Sequence, residues 1–249
     1  SFNVKDQYLY VLKCFNKNYI SKNHQFEHEI SFYEAHKGNN PFICKYYGKL
    51  TTKENNIIII EYIEGESLKK FIENNFNYLE KIDKFKIILE IMSVIEYMHL
   101  NGIIYRDLKY DNIIIDSKKD AIFIDFDQAR SMNGDPMTVD IGSQYFIPPE
   151  QSSAKNYSDK VDIYALGKII HFILTGSLDK DNSLDKKYGF FYGKCLYDSP
   201  ELRPEISNLF NEFIDIIFDI DKNHKVLTTL YCVREKLLEF LNKSKKIWK

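Results

Sequence analysis

The hydrophobic pattern of the chain changes period near Gly65. Before it, residues 8–15 (YLYVLKCF), 44–50 (CKYYGKL) and 55–63 (NNIIIIEYI) are short β-branched and aromatic runs that predict strands. A polar turn at 51–56 separates the last two. Residues 24–36, HQFEHEISFYEAH, carry Phe26, Ile30 and Tyr33 at helical spacing and predict a short amphipathic helix. Asn39, Asn40 and Pro41 break it. Beyond Gly65 the pattern is mostly helical. Ser67 is placed to cap a short helix through 75. Residues 80–99 set Phe85, Ile88, Leu89, Met92, Ile95 and Tyr97 on a broad stripe, which predicts a long buried helix ending at Asn101-Gly102. Apolar stretches 113–115 and 121–124 flank the polar turn DSKKD and predict a hairpin. An apolar helix is expected over 161–174, stopped by Gly176, and closing helices over 206–220 and 226–240. Residues 177–200 show no clear period, and no internal repeat is visible.

Composition narrows the class. The 249 residues suit one large domain or two lobes. With 44% apolar and 28% charged residues the chain can bury a sizeable core, which sets it apart from a disordered polymer. Its 34 basic and 36 acidic side chains give no reason to expect a nucleic-acid binder. The cysteines at 14, 44, 195 and 232 form no CxxC pair, which argues against a zinc knuckle or a disulfide scaffold and fits a reducing compartment. No apolar run approaches the roughly 18 residues of a membrane span, so no transmembrane segment is expected. His24, His28 and His36 fall on one helical stripe, but no acid or thiol completes a metal set, and they read as helix-surface histidines. The terminal KSKKIWK reads as a solvated basic tail.

The chemistry concentrates in Tyr105-Arg106-Asp107-Leu108-Lys109-Tyr110-Asp111-Asn112. Asp107 and Lys109 lie two apart on a non-helical segment behind a helix cap, and Asn112 follows Asp107 by five. Asp125, in IDFDQAR, comes thirteen residues after Asn112, behind the hairpin. A carboxylate to orient a hydroxyl, a nearby ammonium and an Asn/Asp pair of hard oxygen ligands suit magnesium-dependent phosphoryl transfer.

YRDLKYDN resembles the catalytic loop of eukaryotic-type serine/threonine protein kinases, and DFD at 125–127 resembles their magnesium loop, usually DFG. YVLK at 10–13, IIIIEYIEGESL at 57–68, GSQYFIPPE at 142–150 and SDKVDIYALG at 158–167 resemble further family motifs, in the right order and spacing over roughly residues 4–240. The resemblance implies an α+β, two-lobed protein-kinase-like fold. A small antiparallel-sheet N-lobe with one main helix would span about 1–61, a hinge about 61–65 and a larger helical C-lobe about 66–241 of a catalytic domain covering 1–249.

It also implies roles. Lys13 would hold the α- and β-phosphates of ATP, with Glu29 as its helix partner and Glu27 the competing register. Ile60 would be the gatekeeper, and Glu61 and Ile63 would offer backbone groups to adenine. Asp107 would be the catalytic base, Lys109 would steady the transferring phosphate, and Asn112 and Asp125 would bind Mg²⁺, or Mn²⁺. Asp162 would receive backbone donors from the catalytic loop. Arg106 would contact a phosphorylated activation residue, for which Thr138 or Ser131 is expected. Glu150 would pair with a late basic residue, expected to be Lys225. The implied partners are ATP and a protein substrate. The expected location is cytoplasmic or another reducing compartment, with delivery into a host cell open.

Three departures stand out. Only twelve residues precede Lys13, and the first glycine is Gly38, so the first strand and glycine-rich loop are not in this sequence. The chain opens with Ser1, and upstream residues are expected; a chain without a phosphate lid is the other reading. Asp127 replaces the usual glycine, and Tyr105 the usual histidine. An active serine/threonine kinase is the first reading. A pseudokinase acting as a nucleotide-binding or scaffold module and a small-molecule kinase of the same fold stay open.

Overall fold

The computed structural model describes residues 9–36, 40–132, 145–153, 158–178 and 186–220. Thr138, Lys225 and the helix expected at 226–240 lie outside them.

The first part is a three-stranded antiparallel sheet with one helix. Strand β1 (Tyr10–Asn16) is followed by α1 (Ile20–His36), β2 (Tyr46–Thr51) and β3 (Asn55–Glu61), and the sheet order is β1-β3-β2. The isoleucine run makes β3 the central strand, with Ile58 and Ile60 buried. Its register sets Lys13 opposite Ile58 on one side and Lys49 opposite Ile58 on the other. A bulge between Tyr46 and Gly48 offsets β2. Helix α1 starts one turn earlier than its apolar spacing predicts, at Ile20, because the added turn is exposed and carries no core residue. The expected pattern is the part that packs: Phe26, Ile30 and Tyr33 are buried, together with Phe32 and Glu29.

After β3 the chain becomes helical. Strand β4 (Gly65–Ser67) leads into α2 (Leu68–Asn75), whose Ser67 cap accepts from the Lys70 N–H at 3.5 Å. Gly65 is required here, since a Cβ would lie 2.2 Å from the Ile115 carbonyl oxygen. Helix α3 (Lys81–Leu100) is buried nearly all round and packs against α5 (Lys160–Thr175) and α7 (Ile206–Ile220). Strand β5 (Ile103–Ile104) pairs with β8 (Arg130–Ser131), and the predicted hairpin is β6 (Ile113–Asp116) with β7 (Ala121–Phe123). Helix α4 (Pro149–Ser153) precedes α5, which stops at Gly176 in the left-handed conformation (φ 71°). The aperiodic stretch holds α6 (Lys186–Gly193) and two short 3₁₀ turns. The small sheet β4-β6-β7 is separate from the first sheet. A mixed α+β fold with an antiparallel-sheet N-terminal part and a helical C-terminal part results.

The two parts meet along one seam. Ile43 bridges Phe123, the Cys44 N–H donates to the Phe123 carbonyl at 2.9 Å, and the Phe123 N–H donates to the Phe42 carbonyl at 2.8 Å. Phe126, fully buried, stacks on Phe32 of α1 at 4.1 Å between ring centroids.

Candidate active site

The loop between β5 and β6 carries the YRDLKYDN residues. Its backbone bends sharply at Arg106, which sits at φ 72°, a left-handed conformation that costs a non-glycine residue about 1–2 kcal/mol. Asp162 of α5 holds the bend in place. Its buried carboxylate accepts from the Tyr105 N–H and the Arg106 N–H, both at 2.8 Å. His99, at the end of α3, lies 2.9 Å from the same carboxylate through Nε2. The sequence reading missed His99; its signal is a polar residue at the end of an otherwise apolar stripe. Tyr105 is wholly buried against Phe123 and Phe126, so an aromatic ring fits where the family has an imidazole, and burial pushes its phenol up.

Beyond the bend Asp107 is the hub. Its Oδ2 accepts from Lys109 Nζ at 2.6 Å and Asn112 Nδ2 at 2.8 Å, while Oδ1 has no hydrogen-bond partner among the described residues. Asn112 Nδ2 also donates to the Asp107 carbonyl at 3.0 Å, and the Asn112 carbonyl accepts from the Ile124 N–H at 3.1 Å. The loop is thereby tied to the segment that enters Asp125.

A second group forms where the sheet, α1 and that segment converge. Lys13 Nζ lies 2.6 Å from Glu29 Oε2 and 2.7 Å from Asp125 Oδ1. Glu29 has no exposed side-chain surface, whereas Glu27 is exposed, so the structure selects Glu29 of the two registers. Burial pushes Glu29 up to about 7 against the pull of Lys13. The same ammonium is raised by the two carboxylates against its own burial. Asp127 donates its N–H to Asp125 Oδ1 at 3.2 Å, and burial and the Asp125 charge hold its carboxyl above the ordinary range. Among the described residues the non-glycine positions of positive φ are Arg106 and Lys119, so Asp127 carries no left-handed strain in this state.

Ile60 is buried at the end of β3. The Glu61 N–H donates to the Lys45 carbonyl at 2.8 Å and is not available to a ligand. Ile63 is partly buried against the core. Ser131 is exposed on β8. Arg106 is buried beside Asp162, and its expected partner Thr138 lies outside the described residues.

The structure corrects two expectations. Glu150 pairs with Arg203 where Lys225, which lies outside the described residues, was expected. Arg203 Nη1 and Nη2 lie 2.6 and 2.8 Å from the two Glu150 oxygens, and its side chain is fully buried. The planar guanidinium also donates to the carbonyls of Tyr197, Lys160 and Asp198, a fan of bonds no ammonium can make. The second correction is His36, which is half-buried: Nδ1 meets the Tyr97 hydroxyl at 2.8 Å, and the ring stacks on Phe32. Cys44 and Cys195 are buried thiols pushed up to about 12, as small apolar fillers should be, and Cys14 is exposed.

The donor chemistry is compatible with a hard divalent cation. Asn112 and Asp125 offer hard amide and carboxylate oxygens, and the described residues contain no group of three or more His, Cys, Asp or Glu that would hold a metal alone. Such a pair matches an ion that completes its shell with phosphate and water oxygens.

Comparison with known proteins follows the same line. A family model described as the protein kinase domain matches residues 1–236. A probable serine/threonine-protein kinase KIN1 homolog of Enterocytozoon bieneusi is 31% identical over 180 residues, 69% of this chain and 30% of that protein. The cAMP-dependent protein kinase catalytic subunit of Dictyostelium discoideum is 29% identical over 70% of this chain and 27% of its own length. A probable serine/threonine-protein kinase 2 of Plasmodium falciparum is 34% identical over 48% of this chain and 24% of its own length. The chain thus spans less than a third of each of these relatives. No helix among the described residues is long and apolar enough to cross a membrane. With its architecture and the match over residues 1–236, the chain belongs to the protein kinase family.

Proposed function

We propose that this chain transfers the γ-phosphoryl group of ATP to serine or threonine hydroxyls of a protein. The observation that carries the reading is the paired convergence of Lys13 with Glu29 and Asp125, and of Asp107 with Lys109 and Asn112. Lys13, held by two carboxylates, orients the α- and β-phosphates. The unpartnered Oδ1 of Asp107 accepts the proton of the attacking hydroxyl, while Lys109 keeps positive charge beside the transferred group. Asn112 and Asp125 would hold Mg²⁺, which when bound neutralises phosphate charge. Lys109, two residues after Asp107, resembles the serine/threonine rather than the tyrosine branch of the family.

Asp107→Asn tests the assignment. The substitution keeps shape and removes the proton acceptor. It is expected to leave ATP binding, measured by calorimetry, nearly unchanged and to lower phosphoryl transfer by about 10²-fold or more. Equal turnover in the two proteins would refute the role of Asp107. ATP binding with no transfer by the parent would favour the pseudokinase reading, and transfer to a small-molecule hydroxyl alone the small-molecule kinase reading.

A further inference from the structure

A cavity of about 500 Å³ opens where the end of α1, the segment leading into β2, the end of β3 and the β6–β7 turn come together. That volume lies within the usual range for ligand sites, about 300–1,000 Å³. Phe32, Tyr33, Ile43, Ile63 and Ile122 supply apolar walls. Neither Asp107 nor Lys13 lines it; it adjoins the site above at Glu61 and Ile63, which belong to the expected adenine side.

Its rim is preformed. Lys86 of α3 reaches the carbonyls of Lys118 and Lys119 at 3.0 and 3.1 Å and pairs with Asp120. Glu90 of α3 accepts from the Ala121 N–H at 2.8 Å, and Lys119 pairs with Asp83 at 2.6 Å. The β6–β7 turn is thus pinned to the main helix of the core. A wall fixed before binding lowers the ordering cost of an occupant.

The charges on this rim are unequally engaged. Asp116 accepts the N–H groups of Lys118 and Asp120, at 2.8 and 2.9 Å. Asp120 is taken by Lys86, and Glu61 Oε1 by Lys45 at 3.2 Å. His36 is occupied by the Tyr97 hydroxyl. Every acid on the rim therefore has a partner. The ammonium of Lys118 is exposed and makes no hydrogen bond or ion pair among the described residues. Lys45 is 66% exposed, and such a surface pair exchanges its partner at little cost. At one end lies Asn40, a buried side chain whose Oδ1 accepts from the Phe42 N–H at 2.9 Å while Nδ2 has no partner. A peptide carbonyl is the acceptor that such a donor lacks.

We propose that this groove is a docking site for a protein partner's peptide segment that inserts a large apolar side chain and flanks it with acidic residues. The apolar side chain fills the space between Phe32 and Ile122. The flanking carboxylates meet Lys118, whose ammonium is unpaired among the described residues, and share Lys45 with Glu61. The assignment does not depend on phosphoryl transfer.

Titration of the isoleucine-methyl-labelled chain with the probe peptide acetyl-EEFLEE-amide tests it by NMR. Shifts are expected at the methyls of Ile43, Ile63 and Ile122. Affinity should fall about tenfold in the exposed charge reversal Lys118→Glu, the loss of roughly one surface ion pair with repulsion added. The control peptide acetyl-EEAAEE-amide should leave those methyls unmoved. No shift at millimolar EEFLEE, equal affinity for Lys118→Glu, or equal binding of acetyl-KKFLKK-amide would each overturn the proposal.

Discussion

Arg203→Ala is the most informative single perturbation of the scaffold. The parent side chain is fully buried, bridges both Glu150 oxygens, and donates to the carbonyls of Tyr197, Lys160 and Asp198. It also lies over the Tyr164 ring, 4.9 Å from its centroid. Truncation strands the Glu150 carboxylate and leaves three carbonyls without this donor. Breaking a buried pair from one side costs about 3–5 kcal/mol. Glu150 retains 15% side-chain exposure, so water relieves part of the loss and the lower end, about 3 kcal/mol, is expected. For a chain of this size that is a fall in Tm of about 6–12 °C. Urea midpoints and scanning calorimetry provide the assay, with Arg203→Lys and Glu150→Gln alongside. Arg203→Lys should recover only part of the loss, because an ammonium cannot make the fork. In the double mutant cycle the two sites should couple by about 1 kcal/mol or more. A loss under about 1 kcal/mol for Arg203→Ala, or parent-like stability in Arg203→Lys, would refute the reasoning.

Two further predictions address buried and clustered carboxylates. Glu90 is almost wholly buried in α3, and burial pushes its carboxyl up to about 8 from an ordinary 4.5. Between those values the folded state holds the proton more firmly than the unfolded state, so this group makes stability fall as pH rises from about 4.5 to 8. Glu90→Gln, a mimic of the protonated form, should match the parent near pH 5 and exceed it by a few kcal/mol at pH 8, at about 1.4 kcal/mol per pH unit; parallel pH–stability curves would contradict this. At Asp127, the neighbouring Asp125 charge disfavours the empty site, and a bound cation reverses that balance. Asp127→Gly should keep phosphoryl transfer and make nucleotide binding depend less steeply on Mg²⁺ than in the parent, measured by calorimetry at several Mg²⁺ concentrations. Identical metal dependence would remove the electrostatic argument, and loss of activity would make Asp127 a required ligand.

Much of the fold was legible because local signals agreed with tertiary packing. The isoleucine run became the central strand, the Ser67 cap and the Gly176 stop hold, and the broad stripe of 80–99 became a helix buried nearly all round. The residues of YRDLKYDN and DFD come together as their spacing suggests, because a short hairpin returns the chain to the same place. What stayed illegible depends on partners distant in sequence. Arg203 lies just past the aperiodic stretch, and only the tertiary fold brings it to Glu150, 53 residues away. His36 reads as surface by helical position, and the Tyr97 hydroxyl, 61 residues on, draws it inward. The left-handed Arg106 leaves no mark in the sequence, since a buried carboxylate from another helix imposes it.

The central claim is transfer to protein serine and threonine, and one measurement addresses it most directly. The purified chain, with Mg²⁺ and ATP labelled at the γ-phosphate, is offered a protein substrate rich in serine, threonine and tyrosine, and mass spectrometry locates the transferred group. The account predicts label on serine or threonine side chains in the parent and its loss in Asp107→Asn. Absence of transfer by the parent, or label confined to tyrosine, would contradict it.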